Sequence, residues 1–281
     1  MSWQVRVLKL GQADVPVPEV LFMTGFDQWC VLNFYMVVAT DGDKAVIVNT
    51  GVPEDLTDIN RFWEVSFGDP YGKRTQIIRT EEERPVAALA SIGIKPEDVD
   101  HVIITPMMAY SAAHLTAFPN AVYWLSRKGF TDRIVPRKGV IKVRGGDAPP
   151  IANYTAPIDI FIPPEQLHHL LYDAYHRVNF VDEAEIEPGL RIWWAGVHHK
   201  GSLAVEIDSD AGVVVASDAF FYYENVENNH YLGVGESYDQ AMETYEKARQ
   251  RADHLIPMHD PKVLERYPDG IITGAGRRGE G

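Results

Sequence analysis

Three side chains able to bind a metal or move a proton stand just beyond apolar, β-branched runs. His198 follows Ile192-Trp193-Trp194-Ala195-Gly196-Val197, Asp218 follows Val213-Val214-Val215-Ala216-Ser217, and His259 follows Leu255-Ile256-Pro257-Met258. Loops at strand ends are where folds place reactive groups on a rigid scaffold. Two imidazoles and one carboxylate are the number of protein ligands a catalytic zinc takes, with water in the fourth place. The same groups without a metal are an acid–base set. A second concentration is Thr105-Pro106-Met107-Met108-Ala109-Tyr110-Ser111-Ala112-Ala113-His114-Leu115, which offers a phenol, a hydroxyl and an imidazole. Met107 and Met108 are soft donors, poorly suited to zinc with oxygen ligands, and read as packing. His114, on a run of small residues, reads as a hydrogen-bonded histidine, with a ligand role as the alternative. Ser111 reads first as a helix cap.

The elements that must position these groups follow from turn signals and periodicity. Residues 3–9 and 17–23 read as strands. Two further strands, 31–39 and 44–49, are split by the hairpin signal Thr40-Asp41-Gly42-Asp43. Residues 54–80 have weak periodicity and read as an irregular excursion. A helix over 81–92, with Pro85 near its start, ends at Gly93, and a strand over 99–105 feeds the methionine-rich loop. After it come a helix and a strand over 121–125. Residues 130–160, rich in Gly, Pro and basic side chains, read as a surface insertion. A helix over 163–175 carries His168 and His169, which with His176 read as a partly solvated face. Strands over 190–195, 202–208 and 212–216, a long helix over 237–252 and a last strand at 255–257 complete the chain. Two strand-rich halves, each closed by helices, predict one four-layer αββα sandwich spanning residues 1–281.

Composition excludes several function classes. The chain has 281 residues and a net charge of −14, from 40 acidic and 26 basic side chains. Such a chain repels phosphate backbones and anionic lipid, so nucleic acid and membrane surfaces are not expected partners. The single cysteine, Cys30, sits in the apolar run 29–38 and reads as core, not as a nucleophile. No intrachain disulfide is possible, and the N-terminus lacks the basic start and apolar stretch of a signal peptide, so a cytoplasmic location is expected.

From about residue 29 to residue 270 the chain resembles the metallo-β-lactamase superfamily, most closely its N-acyl homoserine lactonase branch. The resemblance rests on Trp29-Cys30-Val31-Leu32 and on Asp43-Lys44-Ala45-Val46-Ile47-Val48-Asn49-Thr50-Gly51, where Asn49 stands for the family's Asp. It continues through residues 92–105, resumes at Leu115-Thr116-Ala117-Phe118-Pro119-Asn120-Ala121, and returns at Gly196-Val197-His198-His199-Lys200-Gly201-Ser202, Ala216-Ser217-Asp218-Ala219 and Met258-His259-Asp260-Pro261. The resemblance implies the αββα fold. It places the family's first-loop metal ligands on Pro106, Met108, Tyr110 and Ser111, none of which is a family ligand. It places the remaining ligands on His198, Asp218 and His259, and the lactonase tyrosine on Phe221, with Tyr222 and Tyr223 close by.

What this implies about activity is a lactonase-like hydrolase of a small cyclic ester or amide, its site rebuilt without the usual two metals and without a cofactor. By the family geometry Ser111, His259 and Asp218 lie together and approximate a nucleophile, base and orienter, with Tyr110 as acid and His198 beside them. Met108, His114, Trp194, His199, Phe221 and Tyr223 are the expected pocket residues, and such a lining favours an apolar or aromatic small molecule. One alternative is a single zinc or other divalent ion at His198, Asp218 and His259. The other is a non-catalytic binding protein or the inactive subunit of a mixed oligomer. A homodimer or a paralogous partner is the assembly left open.

Overall fold

The computed structural model describes residues 2–134 and 162–274. Its strands are β1 (Gln4–Pro16), β2 (Trp29–Thr40), β3 (Ala45–Val48), β4 (His101–Ile103), β5 (Val122–Ser126), β6 (Val178–Val181), β7 (Glu183–Glu187), β8 (Leu190–Trp194), β9 (Leu203–Ser209), β10 (Gly212–Ser217) and β11 (His254–Pro257). They form two sheets, ordered β1-β2-β3-β4-β5-β6 and β11-β10-β9-β8-β7.

Alternation along the strands explains the layering, because successive side chains leave a strand on opposite faces. In β2, Tyr35, Val37 and Ala39 join the core shared with the second sheet, while Met36 and Val38 face outward. In β3, Val46 and Val48 face inward and Ile47 outward. The outward residues pack against Ala88 and Leu89 of the helix Pro85–Ser91 and against Leu115 and Phe118. On the far side, Ala241, Tyr245 and Ala248 of the helix Tyr238–Arg251 cover the second sheet. The order helix, sheet, sheet, helix is the expected αββα sandwich. A sheet buried on both faces needs continuous apolar strands, and 31–39 is one.

Four local readings are corrected. Residues 17–23 are not a strand: Val17–Val20 is one helical turn with Pro at its start. Pro18 fixes φ near the helical value and lacks the N–H that a strand would donate. Residues 54–80 are not irregular, since they hold the helix Thr57–Phe67, which buries Ile59. Ile59, Trp63 and Phe67 fall at i, i+4 and i+8, one helical stripe. Strands β6 and β7 carry Asn179, Glu183, Glu185 and Glu187, whose polarity hides them from a search for apolar runs. Strand β1 also outruns 3–9. A register shift between Lys9 and Gln12, with Gly11 at φ 142°, lets it bend and continue to Pro16. Apart from residues 130–134, the expected insertion at 130–160 lies outside the described residues. Among those described, no helix is long and apolar enough to cross a membrane.

Polar rungs join the sheets at one end. The Asn33 amide donates to the His259 carbonyl at 3.0 Å, and His259 Nδ1 donates back to the Asn33 carbonyl at 2.8 Å. Tyr35 Oη donates to the Asp260 carbonyl at 2.9 Å, and the Leu203 amide donates to Thr105 Oγ1 at 2.9 Å. This is the end at which His198, Asp218 and His259 leave their strands.

Candidate active site

Asn49 sets the start of the loop that follows β4. It stands at φ 67°, in the left-handed region that asparagine tolerates better than most residues. Its amide donates to the Ile103 carbonyl at 2.8 Å, and its Oδ1 accepts the Thr105 amide at 2.8 Å. Asn49→Ala is expected to cost about 2 kcal/mol, from one lost bond to a buried amide plus left-handed strain. Urea midpoints at unchanged m-value measure it. Asn49→Asp keeps the acceptor, so an equal loss there would show that the Thr105 bond is not the cause.

Thr105 in turn holds Asp218. Its Oγ1 lies 2.6 Å from Asp218 Oδ1 and 2.8 Å from the Leu203 carbonyl, so its single proton serves one of two acceptors. Ser202 Oγ donates to Asp218 Oδ2 at 3.0 Å. Asp218 is wholly buried, and that burial pushes its carboxyl up to about 7 despite the two hydroxyls, which pull it down.

His259 is buried as well, under the rings of Phe221, Phe34 and Tyr110, with centroids at 4.4, 5.5 and 5.9 Å. A carbonyl only accepts, so its bond to Asn33 puts the proton on Nδ1 and leaves Nε2 as an acceptor. That Nε2 is buried and has no hydrogen-bond partner among the described residues. Burial lowers the imidazole to about 3, so it is neutral in ordinary buffers. Tyr110 Oη lies 3.0 Å from His198 Nε2, and His198 Nδ1 lies 3.3 Å from the Val234 carbonyl. With Nδ1 donating to that carbonyl, neutral His198 receives the tyrosine proton at Nε2. A second proton on the ring reverses the bond and frees the Tyr110 O–H. Burial holds the phenol well above its ordinary value, so it stays protonated.

Tyr110, His198 and His259 line one cavity of about 220 Å³, with Met108, Phe34 and Phe221 among the walls. That volume is below the roughly 300–1,000 Å³ of common ligand pockets, so it suits a small ligand. The other expected residues lie elsewhere. Ser111 is buried, its carbonyl accepts the Thr50 amide at 2.7 Å, and no hydrogen bond joins it to His259 or Asp218. With Asp218 held by Thr105 and Ser202, and His259 Nδ1 held by Asn33, the three are not linked as nucleophile, base and orienter. His114 Nε2 donates to the Val52 carbonyl at 2.7 Å and lines a separate polar cavity with Asp55 and Asp58. His199 Nδ1 accepts the Gly201 amide at 2.7 Å. Trp194 Nε1 donates to the Lys200 carbonyl at 2.9 Å, and the Lys128 ammonium sits 3.4 Å from its ring centroid. Tyr223 is in the core, its Oη on the Leu255 carbonyl at 3.1 Å.

Sequence reading missed Glu19, Trp63, Phe67 and Thr75, all of which line the cavity. Trp63 and Phe67 stack at 5.6 Å, and their stripe on Thr57–Phe67 was the available signal. Glu19 enters from the helical turn Val17–Val20, a segment that reads from sequence as part of a strand. Trp63 Nε1 and Thr75 Oγ1 are buried without a hydrogen-bond partner among the described residues, like His259 Nε2.

A metal would need converging donors. Here both oxygens of Asp218 and Nε2 of His198 are engaged by hydroxyls, and the loop offers Met108, Tyr110 and Ser111 in place of imidazoles. Among the described residues, no three His, Cys, Asp or Glu side chains are grouped so as to hold a metal ion. The donor set in this arrangement does not fit a divalent ion.

No family model matches the sequence. An N-acyl homoserine lactonase of Bacillus cereus is 24% identical over 204 residues, which cover 71% of this chain and 66% of that relative, just under two thirds of its length. Among solved structures, an N-acyl homoserine lactone hydrolase with N-hexanoyl-L-homoserine bound at its catalytic metal centre superposes with a TM-score of 0.71, at 17% identity over 97% of this chain and 100% of that one. A dizinc quorum-quenching lactonase superposes with a TM-score of 0.60, at 14% identity over 98% of this chain and 92% of that one. A hydrolase of the β-lactamase superfamily gives 0.63, at 15% identity over 99% and 92%.

Proposed function

We propose that this chain, which has the fold of the metallo-β-lactamase superfamily and resembles its N-acyl homoserine lactonase branch, is a lactonase-like hydrolase that opens a small cyclic ester or amide with side chains rather than a pair of metals. The observation that carries this is the set of unpartnered polar atoms on residues around one cavity: Trp63 Nε1, Thr75 Oγ1 and His259 Nε2. A buried polar atom without a partner costs roughly 1–3 kcal/mol, so such a set is expected where a ligand completes it. An N–H and an O–H suit the carbonyl oxygen of an ester or amide. A neutral imidazole Nε2 suits the O–H of the attacking water.

In this reading water adds to the ring carbonyl carbon and its proton passes to His259 Nε2. Trp63 Nε1–H and Thr75 Oγ–H hold the oxygen on which charge develops. The ring C–O or C–N bond then breaks. The leaving atom takes a proton from Tyr110 Oη, which protonated His198 replenishes across their hydrogen bond. The proton left on His259 returns to solvent, His198 takes one back from solvent, and the balance is water plus ring giving the open hydroxy acid or amino acid. His259 is basic enough only to help, since burial lowers it to about 3. That same lowering favours the second reading, a non-catalytic small-molecule binding protein, because a weak base is a good fixed acceptor but a poor catalyst.

The deciding experiment is turnover of γ- and δ-lactones, lactams and aryl esters by purified protein, with and without chelator, alongside metal analysis. Turnover that survives chelation at less than a tenth of an equivalent of metal is expected. Turnover that appears only with added zinc, cobalt or manganese would establish the single-metal alternative. No turnover on the panel, with one compound raising Tm, would establish the binding protein.

A further inference from the structure

Glu19 is the one carboxylate among the described lining of the cavity, and no lysine or arginine lines it. Its backbone carbonyl accepts the Val234 amide at 2.9 Å, but its side chain has no hydrogen-bond or ion-pair partner among the described residues. It is half-buried and shares the cavity lining with Val15, Leu32, Trp63 and Phe67. A half-buried, unpaired carboxylate in an apolar wall is retained at a cost, and a cation that enters the cavity would remove that cost. Aromatic faces on the same wall add attraction for a positive charge.

We propose that the ligand of this cavity carries a protonated amine that pairs with Glu19, so that the site selects aminated, apolar or aromatic molecules over their neutral isosteres. The proposal rests on the reading above only in taking this cavity as the ligand site, and it holds for a substrate or for a ligand that is merely bound. A long, uncharged acyl chain is the wrong occupant, because it would desolvate Glu19 and offer it nothing. The carboxyl's own proton equilibrium agrees with this: burial raises it to about 7, so in the empty cavity it is part-protonated at neutral pH, and an ammonium would drive that proton off. The other titratable groups that line the cavity are Tyr110, His198 and His259. Of these, Tyr110 keeps its proton and His259 is already neutral.

The test is binding, so it is independent of whether the protein hydrolyses anything. Phenethylammonium and its neutral isostere 2-phenylethanol are titrated by calorimetry into the full chain and into Glu19→Gln. A preference for the amine of about 10- to 100-fold is expected, falling to near parity in the variant, as for one charge-assisted hydrogen bond. The amine is also expected to release roughly half a proton at pH 7 in the wild type, read from two buffers of different ionisation enthalpy, and none at Glu19→Gln. Equal affinity for the two probes, selectivity that survives in a folded Glu19→Gln, or no binding of either probe would each overturn the proposal. Turnover of neutral lactones together with no amine preference would sink this inference and leave the hydrolase reading standing.

Discussion

Replacing His259 with Asn is expected to lower kcat/KM by about 100-fold or more while the protein stays folded. The substitution separates the two jobs of the imidazole. Asn Nδ2 occupies the place of Nδ1 and can still donate to the Asn33 carbonyl, which the native ring does at 2.8 Å. It has nothing at the position of Nε2, the buried acceptor without a partner. General-base assistance is worth about 10²–10⁴, and a base lowered by burial belongs at the low end of that range. Its acid limb should therefore lie far below that of an ordinary histidine, so the native rate should hold its His259-dependent part down to about pH 4. Steady-state kinetics with Tm as the folding control measure both. Unchanged kcat/KM in a folded His259→Asn would remove His259 from the chemistry.

The second large effect is on stability against pH. Asp218 is raised to about 7 in the fold from an ordinary 3.8. The unfolded chain releases that proton first, so the stability present below pH 3.8 is lost as pH rises through 7. One unit is about 1.4 kcal/mol, which makes the loss about 4 kcal/mol. His259 works the other way: lowered to about 3 from 6.5, it leaves the folded state undisturbed above 6.5 and weakens it as pH falls toward 3. Between about pH 4 and 6.5 the two slopes oppose, and the wild type should be nearly flat on their account. Relative to the wild type, Asp218→Asn should then gain stability steadily as pH rises through that window, and His259→Asn should lose it. Asn suits the first site because it mimics the protonated acid: its amide group faces Thr105 Oγ1, whose proton turns to the Leu203 carbonyl at 2.8 Å. Glu19, also raised by burial, adds a falling limb common to all three proteins. Urea midpoints at pH 4, 5.5 and 8 decide the matter, and parallel profiles for the three would contradict it.

How much of this was legible in the residues depends on what each part needed. The hairpin between β2 and β3 could be read because its turn is chemical: Asp41 Oδ1 accepts the Asp43 and Lys44 amides, and Gly42 stands at φ 98°. The convergence of Tyr110, His198 and His259 followed from the resemblance, because sequence on both sides of the loop holds the register. Ser111 and Tyr110 were harder to assign. They are neighbours on the single-turn helix Ala109–Ala112, so only one of them can point into the cavity, and alignment does not say which. Glu19 and Thr75 could not be assigned from pattern at all. They come from segments 17–20 and 71–75, whose position is fixed by tertiary packing against β1 and the helix Thr57–Phe67. Local propensity is silent there.

The polar rungs between the sheets have a consequence for motion. Asn33, Tyr35 and Thr105 belong to the first sheet side of the chain, and His259, Asp260 and Leu203 to the second. An occupant touching both Phe34 and His259 would act as a wedge locked across that seam, and the amides of Asn33 and Leu203 would exchange with deuterium more slowly when it is present. Slowed exchange at those two positions would thus serve as a ligand detector that needs no assay of chemistry, even for a compound the protein never transforms.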